Sequence, residues 1–191
     1  KNMPNALEVI VSDPELKIDA LILPGHVSTI IGTKPYEFLA EKYGIPGVVT
    51  GFEPVDVLQG VAMIMRQLHE GRAEIEIAYS RGVMREGNPV ALAAIDEVFD
   101  TVDATWRGLG VIPGSGYAIR EEFEVFDAVK RFHPEVEPTQ DPKGCRCGDV
   151  LRGIMPPDQC PLFRKVCTPE NPVGPCMVSS EGSCAAYYRY Y

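Results

Sequence analysis

Apolar positions along the chain change period several times, and each change predicts an element. Residues 6–12 (Ala-Leu-Glu-Val-Ile-Val-Ser) and 19–23 (Asp-Ala-Leu-Ile-Leu) are short apolar runs that fit buried strands. Residues 33–44 have helical spacing and end at a glycine, a common helix stop. Val48-Val49-Thr50 reads as a further strand. Val55, Leu58, Ala62, Met65 and Leu68 lie three to four residues apart and predict the buried stripe of a helix ending near Gly71. Residues 73–80 alternate as a half-exposed strand does. Asn88-Pro89 predicts a helix start, with a capping side chain followed by a proline whose missing N–H costs nothing there; that helix is expected to run to about Val102. Residues 106–119, broken by Pro113-Gly114-Ser115-Gly116, predict strand and turn, and residues 121–132 a helix. Strands alternating with helices predict an α/β fold with a mainly parallel sheet and flanking helices.

A Pro-rich, charged connection over 133–142 separates this pattern from a tail with little periodicity. The expected boundary lies near residue 137. It divides an α/β domain, 1–137, from a small irregular cysteine-rich domain, 138–191. The chain opens at Lys1 and runs almost at once into a strand-like segment, as a piece of a longer protein would.

Charge narrows the partners. The formal charge of −9 argues against nucleic-acid binding, which normally needs clustered Lys and Arg facing phosphates. From residue 141 onward six basic residues (Lys143, Arg146, Arg152, Arg164, Lys165, Arg189) slightly outnumber five acidic ones, so the acidity belongs to the first 140 residues. No apolar run approaches the ~20 residues of a membrane-spanning helix, and the first residues lack the apolar region of a signal peptide. The expectation is a cytoplasmic protein that does not enter membranes.

All six cysteines (145, 147, 160, 167, 176 and 184) fall within the last 47 residues, separated by 1, 12, 6, 8 and 7 residues. The intervening chain is full of bends: Pro156-Pro157, Cys160-Pro161, Thr168-Pro169 and Gly174-Pro175-Cys176. Segments this irregular need a cross-link. Structural disulfides suit a secreted protein, and nothing here suggests secretion. Structural zinc usually takes two close Cys pairs, and only Cys145-Arg146-Cys147 is close, with a tighter spacing than the usual knuckle. An iron-sulfur cluster needs four thiolates, tolerates varied spacing and suits Cys-Pro dipeptides, and it is the reading these residues favour. Two cysteines are then left over. In an extended Cys-x-Cys both sulfurs share a face, so one can ligate while the other sits beside the cluster, available to a disulfide. Arg146, Arg152, Arg164 and Lys165 either offset the charge of an anionic cluster or are ordinary solvated side chains.

The run Gly144-Cys-Arg-Cys-Gly-Asp-Val-Leu-Arg-Gly153, with Cys160-Pro-Leu-Phe163 and Cys167-Thr-Pro-Glu-Asn-Pro-Val-Gly-Pro-Cys-Met-Val-Ser-Ser-Glu-Gly-Ser-Cys184, closely resembles the C-terminal signature of the HypD family of [NiFe]-hydrogenase maturation proteins. Leu23-Pro-Gly-His-Val-Ser-Thr-Ile-Ile-Gly32 and Gly51-Phe-Glu-Pro54 resemble the same family's central motifs. The resemblance implies one [4Fe-4S] cluster on Cys145, Cys160, Cys167 and Cys184, and a redox-active pair, Cys147 and Cys176, like that of ferredoxin:thioredoxin reductase. It implies an assembly scaffold and redox accessory, rather than a stand-alone enzyme, that helps build the Fe(CN)2CO unit of hydrogenase with the chaperone HypC and the cyanide donor HypE. The family's Cys-Gly-Thr-His-Thr and Gly-Pro-Gly-Cys-Pro-x-Cys motifs, which supply the cysteine for the iron under assembly, do not occur here. The competing class is a zinc-stabilised interaction module without redox chemistry.

His26, in a loop after a strand where α/β sheets place their sites, is a cleft candidate that the resemblance strengthens. Ser28 has no acid partner or nucleophile elbow, which argues against a serine hydrolase. Glu53 is expected to cap the helix at Pro54. His69 and His133 read as surface residues, and Met63 and Met65 as helix packing.

Overall fold

The computed structural model describes residues 1–135 and 142–191, and its contacts divide the chain into two compact units. One comprises Lys1–Lys17, Thr101–Tyr117 and Glu121–Tyr191; the other comprises Ile18–Asp100 and Ala118–Arg120. The junction expected at residue 137 lies outside the described residues.

The unit built on residues 18–100 is the α/β layer. Its strands β1 (Leu21–Pro24), β2 (Gly47–Thr50) and β3 (Ile75–Ile77) form a parallel sheet in the order β1-β2-β3, with Leu21 opposite Gly47 and Gly47 opposite Ile75. β2 is central and buried along its whole length, as the run Gly-Val-Val-Thr requires of a strand covered on both faces. Helices α2 (Gly25–Ile31) and α3 (Glu37–Tyr43) connect β1 to β2, and α4 (Pro54–Glu70) connects β2 to β3. α3 and α4 stop at Gly44 and Gly71, both left-handed with φ 66°. Fully buried Leu23, Tyr36, Leu39, Val48 and Val49 make the core. Each aliphatic side chain there contributes about 1.5–3 kcal/mol.

α4 exists where expected but is turned round. Its buried positions are Asp56, Gly60, Ile64 and Gln67, whereas Val55, Leu58, Met65 and Leu68 are exposed, Val55 at 73%. Gly60 is the cause: a Cβ there would collide with Thr50 Cγ2, so the side without a side chain is the one that lies against β2. Gln67 is buried because its amide is fully used, donating to Glu76 Oε2 at 2.7 Å and accepting from Glu74 N–H at 2.8 Å. Met65 therefore faces solvent and is no packing residue. Glu53 holds the N-cap position without a side-chain cap bond; it pairs with Arg81 at 3.2 Å. Asn88 caps α5 (Pro89–Val98) as expected, accepting from Val90 and Ala91 N–H.

Other expectations fail as well. Residues 6–12 are not a strand: α1 (Met3–Val11) is a helix with Pro4, Ala6 and Val11 buried. Pro4 in the first turn is the helix signal, and the β-branched run Val9-Ile10-Val11 masks it. α5 stops at Val98, and β4 (Phe99–Trp106) pairs with β5 (Gly110–Ile119) as a hairpin turning at residues 107–109. β5 runs straight through Pro113-Gly114-Ser115-Gly116, because α1 satisfies its irregular backbone: Asn5 Nδ2 donates to the carbonyls of Pro113 and Gly114, and Asn2 N–H donates to Ser115. Ser115, fully buried, donates to Ile112 and accepts from Trp106 Nε1 at 2.8 Å. Residues 121–132 form a 3-10 turn and the short α6 (Ala128–Phe132).

Candidate functional site

The cysteine-rich segment belongs to the same unit as α1 and the hairpin tip. It is a chain of short pieces: α7 (Cys147–Leu151), a 3-10 turn (Pro157–Gln159), α8 (Pro175–Val178) and α9 (Ser183–Tyr190). A small core of Phe163, Cys167, Met177 and Ala185 holds them, with Tyr187 and Tyr188 packed edge-on against Phe163 at 5.9 and 5.8 Å. Asp13, just after α1, ion-pairs with Arg152, whose guanidinium also bonds Asp149 at 2.6 Å. That guanidinium holds the Asp13 carboxyl below its ordinary 3.8.

All six cysteines line one cavity, together with Phe163 and Met177. Cys147 and Cys176 are joined by a disulfide, their Cα atoms 6.2 Å apart. These are the two that the resemblance pairs. Cys145, Cys160, Cys167 and Cys184 form no disulfide; Cys167 is buried and the other three are half-buried. The Cys145–Cys147 stretch is not extended, since Arg146 has ψ 27° and Cys147 opens α7, yet both residues line the cavity. Burial, and then the nearby sulfurs of Cys160, Cys167 and Cys145, push the Cys184 thiol up to about 11. Val173 N–H donates to Cys167 Sγ at 3.4 Å. Among the described residues, no three His, Cys, Asp or Glu side chains stand in the geometry of a metal-ion site.

The three arginines near the cysteines are engaged. Arg146 pairs with Asp149, Arg152 with Asp13 and Asp149, and Arg164 lies over the rings of Phe163 and Tyr188. Gly174, Val173 and Met177, which shape the sulfur environment, were missed in the sequence; only the glycine carried a signal, in Gly174-Pro175-Cys176.

His26 belongs to the other unit, exposed in the first turn of α2 with its ring 5.1 Å from that of Phe52. Asp56, buried in the first turn of α4, pairs with Arg81 at 2.8 Å. Ser28 is fully buried and donates to the Pro24 carbonyl at 2.8 Å, a role inside the helix start. No helix among the described residues is long and apolar enough to cross a membrane.

The sequence profile described as HypD, the hydrogenase formation hypA family, matches residues 1–191. A hydrogenase maturation factor HypD of Cupriavidus necator is 48% identical over 98% of this chain and 51% of its own length. A hydrogenase expression/formation protein HupD of Azotobacter chroococcum is 47% identical over 98% of this chain and 51% of its own, and a putative hydrogenase expression/formation protein of Methanocaldococcus jannaschii is 46% identical over 100% and 53%. The chain thus spans about half the length of the curated relatives it matches. With a profile matched from end to end and relatives this similar, the chain belongs to the HypD family of hydrogenase maturation proteins.

Proposed function

We propose that this chain is the redox part of a cytoplasmic hydrogenase maturation factor, binding a [4Fe-4S] cluster through Cys145, Cys160, Cys167 and Cys184 and using Cys147–Cys176 as a redox-active pair. The observation that carries the reading is the single cavity lined by four cysteines outside a disulfide and the two within it. The donor set fits: four sulfurs and no competing carboxylate or imidazole line the space. Metal-bound cysteines are thiolates, so a thiol that burial and neighbouring sulfurs hold neutral needs a compensating cation to serve as a ligand. Val173 N–H offers a hydrogen bond of the kind that tunes a ligating sulfur. Such a cluster, when bound, supplies single electrons. The chain's own residues place a two-electron acceptor, the disulfide, against the same cavity, and Val150, Leu162, Phe163 and Met177 give it an apolar lining. Assembly of the Fe(CN)2CO unit with HypC-type and HypE-type partners belongs to the whole protein, and His26, exposed at the start of α2, is the candidate for a part in it.

Protein purified without oxygen is expected to be brown, to absorb broadly near 400 nm and to hold about four irons per chain. Replacing Cys160 or Cys167 with Ala should remove the iron, and replacing Cys147 or Cys176 should retain it. A colourless preparation with stoichiometric zinc establishes the zinc module instead.

A further inference from the structure

The last helix carries a stripe of its own. Cys184, Tyr187, Tyr188 and Tyr191 stand three or four residues apart, so the helical turn gathers them on one side of α9 and just past its end. At the inner end of the stripe is a sulfur, since Cys184 lines the cysteine cavity. Phe163 lines that cavity too, with its ring 5.9 Å from that of Tyr187. Tyr187 in turn is stacked on Tyr191, their centroids 4.8 Å apart and their planes 15° from parallel. Tyr191 is 83% exposed. Aromatic rings therefore run from the wall of the sulfur cavity to solvent. Core packing accounts for the inner part of this line, where Phe163 meets Tyr187 and Tyr188, but not for its continuation to an exposed phenol.

The crowding of the sulfurs gives such a line a use. A cavity thiol that loses one electron becomes a thiyl radical beside five other sulfurs. Left there, it ends in a wrongly paired disulfide or in sulfinic acid, and either one spoils the constellation. A phenol holds a radical at a potential close to that of a thiol, and a phenoxyl at the surface is open to repair by a soluble reductant.

We propose that the line Cys184–Tyr187–Tyr191 is a radical outlet, moving one-electron oxidation from the cavity sulfurs to the protein surface. A small radical oxidant, nitrogen dioxide, takes one electron from the Cys184 thiol, leaving nitrite, a proton and the thiyl. Tyr187 gives the thiyl a hydrogen atom, which restores the thiol and leaves a phenoxyl. Tyr191 then gives Tyr187 a hydrogen atom, and the radical stands at solvent. Ascorbate, a hydrogen-atom donor, restores the Tyr191 phenol and carries the radical away. Over the cycle one nitrogen dioxide and one ascorbate are consumed and every side chain is returned. Where the sulfur carries metal instead of a proton, the electron crosses alone and the phenol's proton goes to solvent, so the inference does not rest on the proposed cluster.

Nitrogen dioxide also marks a phenoxyl by adding to it, and peptide mass spectrometry locates the resulting nitrotyrosine. In the intact chain exposed to nitrogen dioxide without ascorbate, Tyr191 should be nitrated several-fold more than its neighbour Tyr190, although both are open to solvent, at 83% and 74%. Tyr187→Phe keeps the ring and removes only the hydroxyl. It should bring Tyr191 down to the level of Tyr190 and raise sulfinic acid and new disulfides among the cavity cysteines several-fold. Tyr191→Phe, a surface change that leaves the core intact, should raise cysteine oxidation in the same way. Ascorbate should protect the cysteines of the parent and not those of Tyr187→Phe. Equal nitration of Tyr190 and Tyr191 in the parent overturns the inference, as does a pattern of nitration and cysteine oxidation that Tyr187→Phe leaves unchanged.

Discussion

The sulfur of Cys145 occupies the space that a side chain at Gly174 would fill. Gly174 has φ −94°, a value any residue adopts, so the glycine is required by that sulfur and not by the backbone. Gly174→Ala should fold, as judged by circular dichroism, yet displace Cys145 and lose most of the iron of an anaerobic preparation. Full iron retention would show that Cys145 has room to move or ligates nothing.

Asp13 and Arg152 tie the two ends of one unit, and their effect has a defined pH window. Asp13 is held below 3.8, so its pairing stabilises the fold fully above that value and is lost as the carboxyl protonates below it. Asp13→Asn should lower the denaturation midpoint at pH 7, and the difference from the parent should shrink below pH 3.8, as read by denaturant melts across the series.

On α4, Leu58→Glu and Met65→Glu should each change stability by no more than about 0.5 kcal/mol, because both side chains are exposed. Ile64→Ala on the opposite side should cost about 2–5 kcal/mol. Gly60→Ala should also destabilise, through its collision with Thr50. The reverse order in chemical denaturation would restore the apolar stripe to the interior.

In protein free of metal, Cys184 should be a thiol that resists alkylation near neutrality. With Cys184 pushed up to about 11, its reaction with iodoacetamide should rise about tenfold per pH unit between pH 8 and 10. A plateau reached by pH 8 would show that neither burial nor the neighbouring sulfurs weigh on it.

How much of this was legible in the sequence depends on whether the deciding force is local. Gly44, Gly71 and Asn88 mark helix ends by their own backbone or side chain, and they were read correctly. Which face of α4 is buried depends on Thr50, a residue on another element, so the apolar stripe misled. α1 was missed because Val9, Ile10 and Val11 favour strands weakly on their own, whereas its contacts with Pro113, Gly114 and Ser115 lie over a hundred residues away. The cysteine constellation was visible as a crowd. Its division into a bonded pair and four others came from resemblance, since spacing alone permits other pairings, and the structure brings together the same two.

One unit of this protein is made from segments that precede and follow residues 18–100 in sequence. On a ribosome the consequence is an order of events. The parallel sheet can close while the rest is still being translated, but α1, made before that sheet, has to wait for Arg152 before Asp13 has its partner. The six sulfurs emerge after the sheet and become a single cavity only once the segments before and after it meet, so a chain stopped at residue 100 carries a finished sheet and no place for the thiols to gather.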